Sequence, residues 1–171
     1  DGKDQGNAEM TEAELINTHG LGYFEGLDAG VLSVMTSFSS WNDEKVHGDR
    51  YLVTEVLKKK LGFTGHVVSD WNAIGQVDDC TNGDCPRAVE AGIDLFMIPE
   101  EWPAFIENTT AQVAAGEIPM ERIDDAVRRT LRNKILLGLF DAPPSTGACA
   151  VDEELGAASH RELARAAVRE S

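Results

Sequence analysis

Basic residues are scarce in this chain, and their scarcity narrows the partners that it can have. Lysine and arginine together number 15, against 30 aspartate and glutamate residues, which leaves a formal net charge of -15 at pH 7. Binding to nucleic acid or to an anionic membrane needs a cationic surface, so we expect neither as a partner. A neutral ligand is not disfavoured by this charge.

Long hydrophobic runs are also missing. No apolar stretch approaches the ~20 residues that a membrane-spanning helix needs, and the opening residues, DGKDQGN, are polar rather than typical of a signal peptide. The hydrophobic content of 42% is nevertheless ordinary for a globular protein. We therefore expect a folded chain that begins within a longer protein.

Cysteine is rare as well, with three residues in 171. Cys80 and Cys85 flank the turn-rich segment TNGD, and we interpret them as a local disulfide in preference to a free pair. Such a disulfide would imply an oxidising compartment. A zinc site would need two further ligands, and none is evident nearby. Cys149, in a stretch rich in Pro, Ser and Gly, is interpreted as unpaired.

The chain does contain an alternation of short apolar runs and helical patterns. Runs rich in branched and aromatic residues predict three strands, at 31–38, 66–70 and 93–98. Helical spacing, capping residues and terminating glycines predict helices at 11–29, 51–61, 86–91, 102–115 and 119–137, and the start of another at 160–171. The segment 141–156, rich in Pro, Ser and Ala, is predicted to be a linker.

Apolar strands that alternate with helices indicate an α/β fold with parallel strands. Because three strands are too few to close a barrel, we interpret residues 1–140 as the C-terminal part of a (β/α)8, TIM-like barrel, namely its last three strands and their helices. Residues 141–171 would then be a linker and the start of a helix that leads to a second domain. Isolated, such a fragment would expose unpaired strand edges and half a core.

The second predicted strand ends in an unusual pair, Asp70 followed by Trp71. Aspartate has poor strand propensity, and a carboxylate at a buried strand end needs either partners or a chemical role. In β/α barrels the catalytic groups lie at the C-terminal ends of the strands. An aspartate there can attack the anomeric carbon of a sugar, beside an indole on which the sugar ring stacks. The alternative is a carboxylate that only caps a neighbouring helix or loop.

The segment around this pair, GFTGHVVSDW, closely resembles the nucleophile segment of glycoside hydrolase family 3. Four other parts of the chain are similar to further elements of that family. Residues 34–48 are similar to the strand and loop that precede the nucleophile segment, and residues 91–99 to the last barrel strand. Residues 118–129 are similar to the final barrel helix, and residues 160–165 to the helix that enters the second domain. The resemblance covers nearly the whole chain. It implies a retaining, exo-acting β-glucosidase or β-glucan exohydrolase that needs no metal or organic cofactor.

Residue by residue, the resemblance implies that Asp70 is the catalytic nucleophile and that Trp71 is an aromatic at the mouth of the sugar site. Met35 and Phe38 match residues near the bound sugar. Many members carry Tyr where Phe38 stands, and that Tyr would donate a hydrogen bond to the nucleophile. The implied substrate is a β-linked oligosaccharide or glucoside.

The loop flanked by Cys80 and Cys85 resembles one that occurs in secreted and periplasmic bacterial members of the family. The resemblance therefore supports the disulfide and implies a periplasmic or secreted location.

Retaining hydrolysis needs a second carboxyl group about 5–5.5 Å from the nucleophile. From the chain alone the best candidates are Glu100 and Glu101, just past the third predicted strand. The resemblance instead implies an acid/base in a domain beyond Ser171, and a Lys-His pair that binds the sugar in an earlier segment.

The partners of the chain would be the missing N-terminal barrel strands and the C-terminal domain of the same protein, and the fragment alone should be inactive.

Other functions remain open from the sequence. A non-catalytic carbohydrate-binding homologue would keep Trp71 and the pocket while lacking a working acid. A different barrel reaction, with Asp70 as a proton acceptor, has no phosphate or metal motif to support it. A β-N-acetylglucosaminidase of the same family is disfavoured, because the Asp-His pair that characterises those enzymes is not found.

Three further residues have structural interpretations. His47, in a polar loop, is interpreted as a solvated or loop-bracing histidine rather than a catalytic one. Asp94, inside the third predicted strand, is interpreted as satisfying buried backbone donors rather than contacting substrate. Asp43 stands where the family commonly has Gly, which concerns only the local turn.

Overall fold

The computed structural model describes residues 4–141 and 156–171. The chain divides into two compact units, Asp1–Leu136 and Leu137–Ser171. The first unit is an α/β arrangement in which helices dominate and strands are short. Among the described residues, no helix combines the length and the apolar character needed to cross a membrane.

The N-terminal helical run begins at the predicted capping box. The Thr11 Oγ1 accepts the Glu14 N–H at 3.3 Å, and the Glu14 Oε2 accepts the Thr11 N–H at 2.8 Å. Three consecutive segments follow: α1 (Glu12–Leu15), a π-helical stretch (Ile16–Gly20) and α2 (Leu21–Asp28). The helix predicted for residues 11–29 is therefore confirmed.

The other predicted helices of the first unit are also present. A π-helix spans Tyr51–Lys60 and ends before Gly62, whose φ of 70° is the left-handed conformation that glycine adopts at low cost. The remaining helices are α3 (Pro86–Ala91), α4 (Trp102–Ala115) and α5 (Met120–Leu136).

The second unit contains one further helix within its described residues. This helix, α6, spans Ala158–Glu170, close to the predicted start at residue 160. Most of the predicted linker, together with Cys149, lies outside the described residues.

Two of the three predicted strands pair in parallel, although both are shorter than predicted. The strands are β1 (Asn7–Ala8), β2 (Ser33–Met35), β3 (Ser40–Trp41), β4 (Glu44–Lys45) and β5 (His66–Val68). β2 lies beside β5, with Val34 opposite Val67. The parallel pairing agrees with the predicted β/α alternation.

The prediction of a regular third strand at 93–98 is wrong, because this segment is extended but irregular. The segment lies parallel to β5 but joins it through a single bridge, at Leu95. The N–H groups of Asp94 and Leu95 both donate to the Val67 carbonyl, at 2.8 and 3.1 Å, so two residues face one as in a β-bulge. The three segments nevertheless lie side by side, with β5 in the middle.

A second small sheet, absent from the sequence-based prediction, joins distant segments. β1 pairs in parallel with β3, which pairs in antiparallel with β4. The turn between β3 and β4 holds Asp43 at φ 70°, a position at which glycine is favoured. The Asn7 side chain supports this turn, because its Oδ1 accepts the Asp43 N–H at 2.9 Å and its Nδ2 donates to the Asp43 carboxylate at 2.7 Å. β4 leads directly into a 3-10 turn, Val46–Gly48.

The hydrophobic core lies between the parallel segments and the helices that pack on them. Its fully or nearly buried members come from the 51–60 helix, β5, α3, α4 and the loops between them: Val53, Leu57, Phe63, Val67, Ile74, Val77, Cys85, Ala88, Val89, Ile93, Ile98, Phe105 and Ile118. Burial of each large aliphatic side chain contributes about 1.5–3 kcal/mol. This core fixes the end of β5, where the candidate site lies.

Candidate active site

Asp70 lies just past the carboxyl end of β5, as predicted. Its side chain is partly buried, whereas the neighbouring Trp71 is 59% exposed. Asn72 adopts a left-handed conformation, φ 54°, and its N–H donates to the Met97 carbonyl at 3.0 Å. The chain therefore turns sharply after Asp70 while it stays bonded to the neighbouring segment.

The Asp70 carboxylate has few protein partners. Its Oδ1 accepts the N–H of Trp71 at 2.6 Å. Among the described residues, no lysine, arginine or histidine forms an ion pair with Asp70. Within the described residues, its negative charge is thus not balanced by an ion pair, and a carboxylate can act as a nucleophile toward an anomeric carbon.

His47 lies against the backbone of Asp70. Its side chain is only 1% exposed, and its Nε2 accepts the Asp70 N–H at 2.9 Å. Burial lowers the pKa of His47 from 6.5 to about 4, although the Asp70 carboxylate raises it, and Lys45 lowers it further. His47 is therefore neutral at pH 7. Of the two predicted alternatives, a solvated histidine is wrong, because the ring is buried, and a loop-bracing histidine agrees with its bond to the backbone of Asp70; that contact was not predicted.

The two other residues expected near a sugar belong to the segment beside β5. Met35 is the last residue of β2 and is exposed. Phe38 is partly buried, and its ring lies edge-on to the His47 ring, with centroids 6.4 Å apart. The Lys45 ammonium lies 5.8 Å from the centroid of the Phe38 ring. Phe38 thus packs on the residue that holds the Asp70 backbone, and Met35 lies at the same edge of the sheet.

A disulfide-bonded loop supports the segment that follows Asp70. Cys80 and Cys85, the expected pair, are joined in the structure, with Cα atoms 4.7 Å apart. Between them, the Asn82 Oδ1 accepts the Gly75 N–H at 3.0 Å. A Cβ at Gly75 would lie 2.6 Å from that oxygen, so a larger residue would displace the loop.

The two glutamates considered as acid/base candidates contact the loops around Asp70. The Glu100 Oε2 accepts a bond of 3.4 Å from the side chain of Asn72. Glu101 precedes α4, and its carboxylate lies beside Gly83 of the disulfide-bonded loop. Within the described residues, neither glutamate forms a hydrogen bond with Asp70.

Asp94 has entirely different surroundings. Its side chain is 0% exposed, and it pairs with the Lys58 ammonium at 2.7 Å and with the Arg122 guanidinium. Its Oδ2 accepts the Val67 N–H at 2.8 Å, which confirms that Asp94 satisfies a buried backbone donor. Burial lowers the pKa of Lys58, against the opposing attraction of Asp94.

The buried ion pairs extend to α5 through Asp125. This carboxylate accepts bonds from Arg122 at 2.7 Å and Arg129 at 2.9 Å. Burial raises the pKa of Asp125, but the Arg129 hydrogen bond and the surrounding positive charges outweigh this effect and leave the pKa below its usual value. Arg129 also donates to the carbonyls of Phe63 and Gly65, at 2.7 and 3.0 Å, just before β5. This cluster was not predicted from the sequence, although Arg122, Asp125 and Arg129 share one helix face.

Two surface grooves lie away from Asp70. A groove of about 500 Å³ follows one face of α5, and another of about 290 Å³ lies between α4, α5 and the 93–98 segment. Neither is lined by Asp70 or Trp71. Among the described residues, the candidate site is an open edge of the parallel strands.

The Asp70 carboxylate thus lies at the carboxyl edge of parallel strands, beside an exposed indole and, within the described residues, without an ion pair. In β/α barrels, the catalytic groups lie at this edge. The sequence model of the glycosyl hydrolase family 3 N-terminal domain matches residues 1–133. The chain belongs to this family.

Individual relatives agree with the family assignment. A crystal structure of a mutant exo-1,3/1,4-β-glucanase from a Pseudoalteromonas species is 50% identical, with a TM-score of 0.87 over 98% of this chain and 27% of that one. A periplasmic β-glucosidase of Salmonella typhimurium is 31% identical over 99% of this chain and 23% of its own length. A lysosomal β-glucosidase of Dictyostelium discoideum is 34% identical over 84% of this chain and 18% of its own length.

The chain thus spans about a quarter or less of the proteins that it matches. These relatives are named as β-glucosidases and a β-glucanase, and this chain has the fold of the corresponding part of the β-glucanase structure.

Proposed function

We propose that this chain carries the nucleophile of a retaining, exo-acting β-glucosidase or β-glucan exohydrolase. One Asp70 carboxylate oxygen attacks the anomeric carbon of a terminal β-linked glucose and forms a covalent glycosyl-enzyme, while the leaving oxygen takes a proton from a separate acid. Water then attacks the same carbon, gives up a proton to that residue and releases Asp70. The observation that carries this proposal is the position of Asp70 past β5, where it forms no ion pair with any residue in the described part of the chain.

Three other side chains are proposed to bind the substrate. Trp71 is exposed beside Asp70, and its indole offers an apolar face to the C–H groups of a sugar ring. Met35 and Phe38, from the segment parallel to β5, would form the adjacent wall of the site. The family membership and the β-glucosidase and β-glucanase relatives support β-glucosides and β-linked oligosaccharides as substrates.

The described parallel segments are proposed to be the last three strands of an eight-stranded barrel. Two observations support the proposal that further strands and helices complete it. Met35 and Leu95 are exposed although they lie in parallel segments. An apolar row along α5 is also exposed: Val127, Leu131, Ile135 and Leu136. Earlier segments of a longer chain would cover both surfaces.

The acid/base is proposed to come from another part of the complete enzyme, by which we mean the full-length protein that contains this chain. Glu100 and Glu101 are not proposed for this role, since their contacts are with Asn72 and with the disulfide-bonded loop. The isolated 171 residues should accordingly be inactive. The Cys80–Cys85 disulfide and the periplasmic relative support a periplasmic or secreted location.

A mechanism-based label tests the proposal in the complete enzyme. An activated 2-deoxy-2-fluoro-β-glucoside should trap the glycosyl-enzyme, because the fluorine slows both formation and hydrolysis of the intermediate and the activated leaving group accelerates only its formation. Digestion and mass spectrometry should place the label on Asp70, and an Asp70→Asn variant should not be labelled. A label on another residue, or binding of glucosides without turnover or labelling, would contradict the proposal; the second result would indicate a carbohydrate-binding homologue.

A further inference from the structure

The backbone N–H of Asp70 has a partner that sheet geometry does not supply. The His66 N–H donates to the Leu32 carbonyl, and bonds in a parallel pair recur at every second residue. Continued at this spacing, the Asp70 N–H would face the Thr36 carbonyl. It donates instead to Nε2 of His47, at 2.9 Å and 23 residues away in sequence. At Asp70, a side chain thus takes the place of the backbone carbonyl that would accept the next hydrogen bond of the parallel pair.

This bond requires one protonation state of His47. An imidazole nitrogen accepts a hydrogen bond only when it carries no proton, so the ring must be neutral with its proton on Nδ1. Burial of the ring, which is 1% exposed, favours the neutral form and outweighs a hydrogen bond to the Ser37 backbone, which raises the pKa of His47. The charged groups that face the ring are Lys45, from the β3–β4 hairpin, and Asp70 itself.

The Asp70 carboxylate depends on its own main chain for its position. Its only hydrogen bond among the described residues comes from the next N–H, that of Trp71, and no cation holds it. The main chain is fixed after Asp70 by the bond from Asn72 to Met97, and at Asp70 by His47. The geometry of the peptide at Asp70 therefore sets the direction in which the carboxylate projects.

We propose that His47 is a positioning residue for the nucleophile, which it aligns by accepting the Asp70 N–H. This inference rests on the proposed function, and His47 itself does not contact the sugar. The ring is suited to the task because it is buried and packed against Phe38. A displacement of about 1 Å at a reacting group can cost about 100-fold in rate.

The test compares two replacements of His47 in the complete enzyme. Gln carries an oxygen at about the reach of Nε2 and can accept the Asp70 N–H, whereas Leu has a similar volume and no acceptor. The rate constant for inactivation by the 2-fluoro glucoside and the dissociation constant of the same compound are measured separately. We expect His47→Leu to slow inactivation about 10- to 100-fold with little change in affinity. His47→Gln should restore the rate to within about five-fold of wild type.

A matched control separates positioning from general destabilisation. Lys58→Met disrupts the buried ion pairs around Asp94, so it should lower the unfolding midpoint while leaving the inactivation rate unchanged. If His47→Leu does not fold, His47→Gln carries the test alone: a near-normal rate supports the inference, and a loss of 10-fold or more overturns it.

The outcomes also distinguish this inference from the proposed function. Equal inactivation rates in wild type and His47→Leu, with the label on Asp70 in both, would overturn the role of His47 and leave the nucleophile intact. Failure of the wild-type enzyme to acquire a label on Asp70 would overturn both.

Discussion

Asp70 and Asp94 lie on neighbouring parallel segments, but their carboxylates differ in burial and in the number of charged partners. Asp94 is fully buried and held by Lys58, Arg122 and a backbone N–H. Asp70 is partly buried, accepts one hydrogen bond from the adjacent residue and forms no ion pair within the described residues.

The difference follows the direction of the strands. Asp94 bonds to Val67, near the start of β5, whereas Asp70 lies beyond the end of the same strand. In β/α barrels, groups at the N-terminal ends of the strands stabilise the fold, and those at the C-terminal ends perform the chemistry. The charge of Asp94 is balanced by two cations, as a structural role requires, and the charge of Asp70, without an ion pair in the described part of the chain, suits the proposed role of nucleophile.

Replacement of Asp70 should have the largest effect on activity and almost none on stability. Asn can keep the bond to the Trp71 N–H but cannot attack a sugar, so Asp70→Asn should lower kcat about 10⁴-fold or more in the complete enzyme. Its unfolding free energy should stay within about 0.5 kcal/mol of wild type. Steady-state kinetics and urea unfolding check both parts. A variant that keeps activity, or one that unfolds easily, would break the comparison.

Replacement of Asp94 should have the opposite profile. Asp94→Asn removes the fully buried carboxylate that Lys58 and Arg122 share and leaves Asp125, at 3.4 and 2.7 Å, to balance both cations, which costs about 3 kcal/mol of stability. The fraction that remains folded should still label at Asp70. Urea unfolding and active-site titration measure the two effects. A stable Asp94→Asn variant that has lost labelling would contradict the structural role of Asp94.

Acid should lower the stability of the fold through His47, which is buried like Asp94 but contacts the backbone of Asp70. Its pKa is about 4 in the folded state and 6.5 when unfolded, so the unfolded chain binds the extra proton between these values. Above pH 6.5 the ring is neutral in both states and does not lower the free energy of unfolding. As the pH falls from 6.5 to 4, the free energy of unfolding decreases by about 3 kcal/mol. Wild type should therefore lose more stability than His47→Gln between pH 7 and 4. Parallel curves for the two proteins would contradict the prediction.

Removal of the disulfide should have the smallest effect. The Cys80–Cys85 loop is short, so Cys80→Ser together with Cys85→Ser should cost about 2 kcal/mol. Labelling at Asp70 should fall by only a few fold, because the loop contacts the Gly75 turn rather than the carboxylate. Unfolding of wild type with and without a reductant provides the control. Unchanged stability in both experiments would show that the loop does not support the site.

Features with a local signal were predictable from the sequence. The helices follow from apolar spacing, capping and terminating glycines, and the Asp70–Trp71 pair follows from an apolar run that ends in a carboxylate. The third segment was not predictable as an irregular strand, because its bulge depends on two N–H groups that meet the Val67 carbonyl.

Contacts between residues far apart in sequence could not be predicted from local patterns. β1, β3 and β4 are only two residues long and have no periodic pattern, yet they form the small sheet that leads into the turn with His47. The bonds of Asp70 to His47 and of Asp94 to Lys58 join residues 23 and 36 positions apart. Each residue suits several roles by itself, and only the packed chain selects one.

Chemical rescue tests the central claim most directly. In the complete enzyme, Asp70→Gly should be inactive on 2,4-dinitrophenyl β-glucoside, because no carboxylate attacks the anomeric carbon. Added azide should enter the vacated space, restore turnover and yield the α-glucosyl azide, since it attacks from the face that Asp70 used. Recovery of the β-glucosyl azide, or full activity of the variant without azide, would contradict the assignment of Asp70 as the nucleophile.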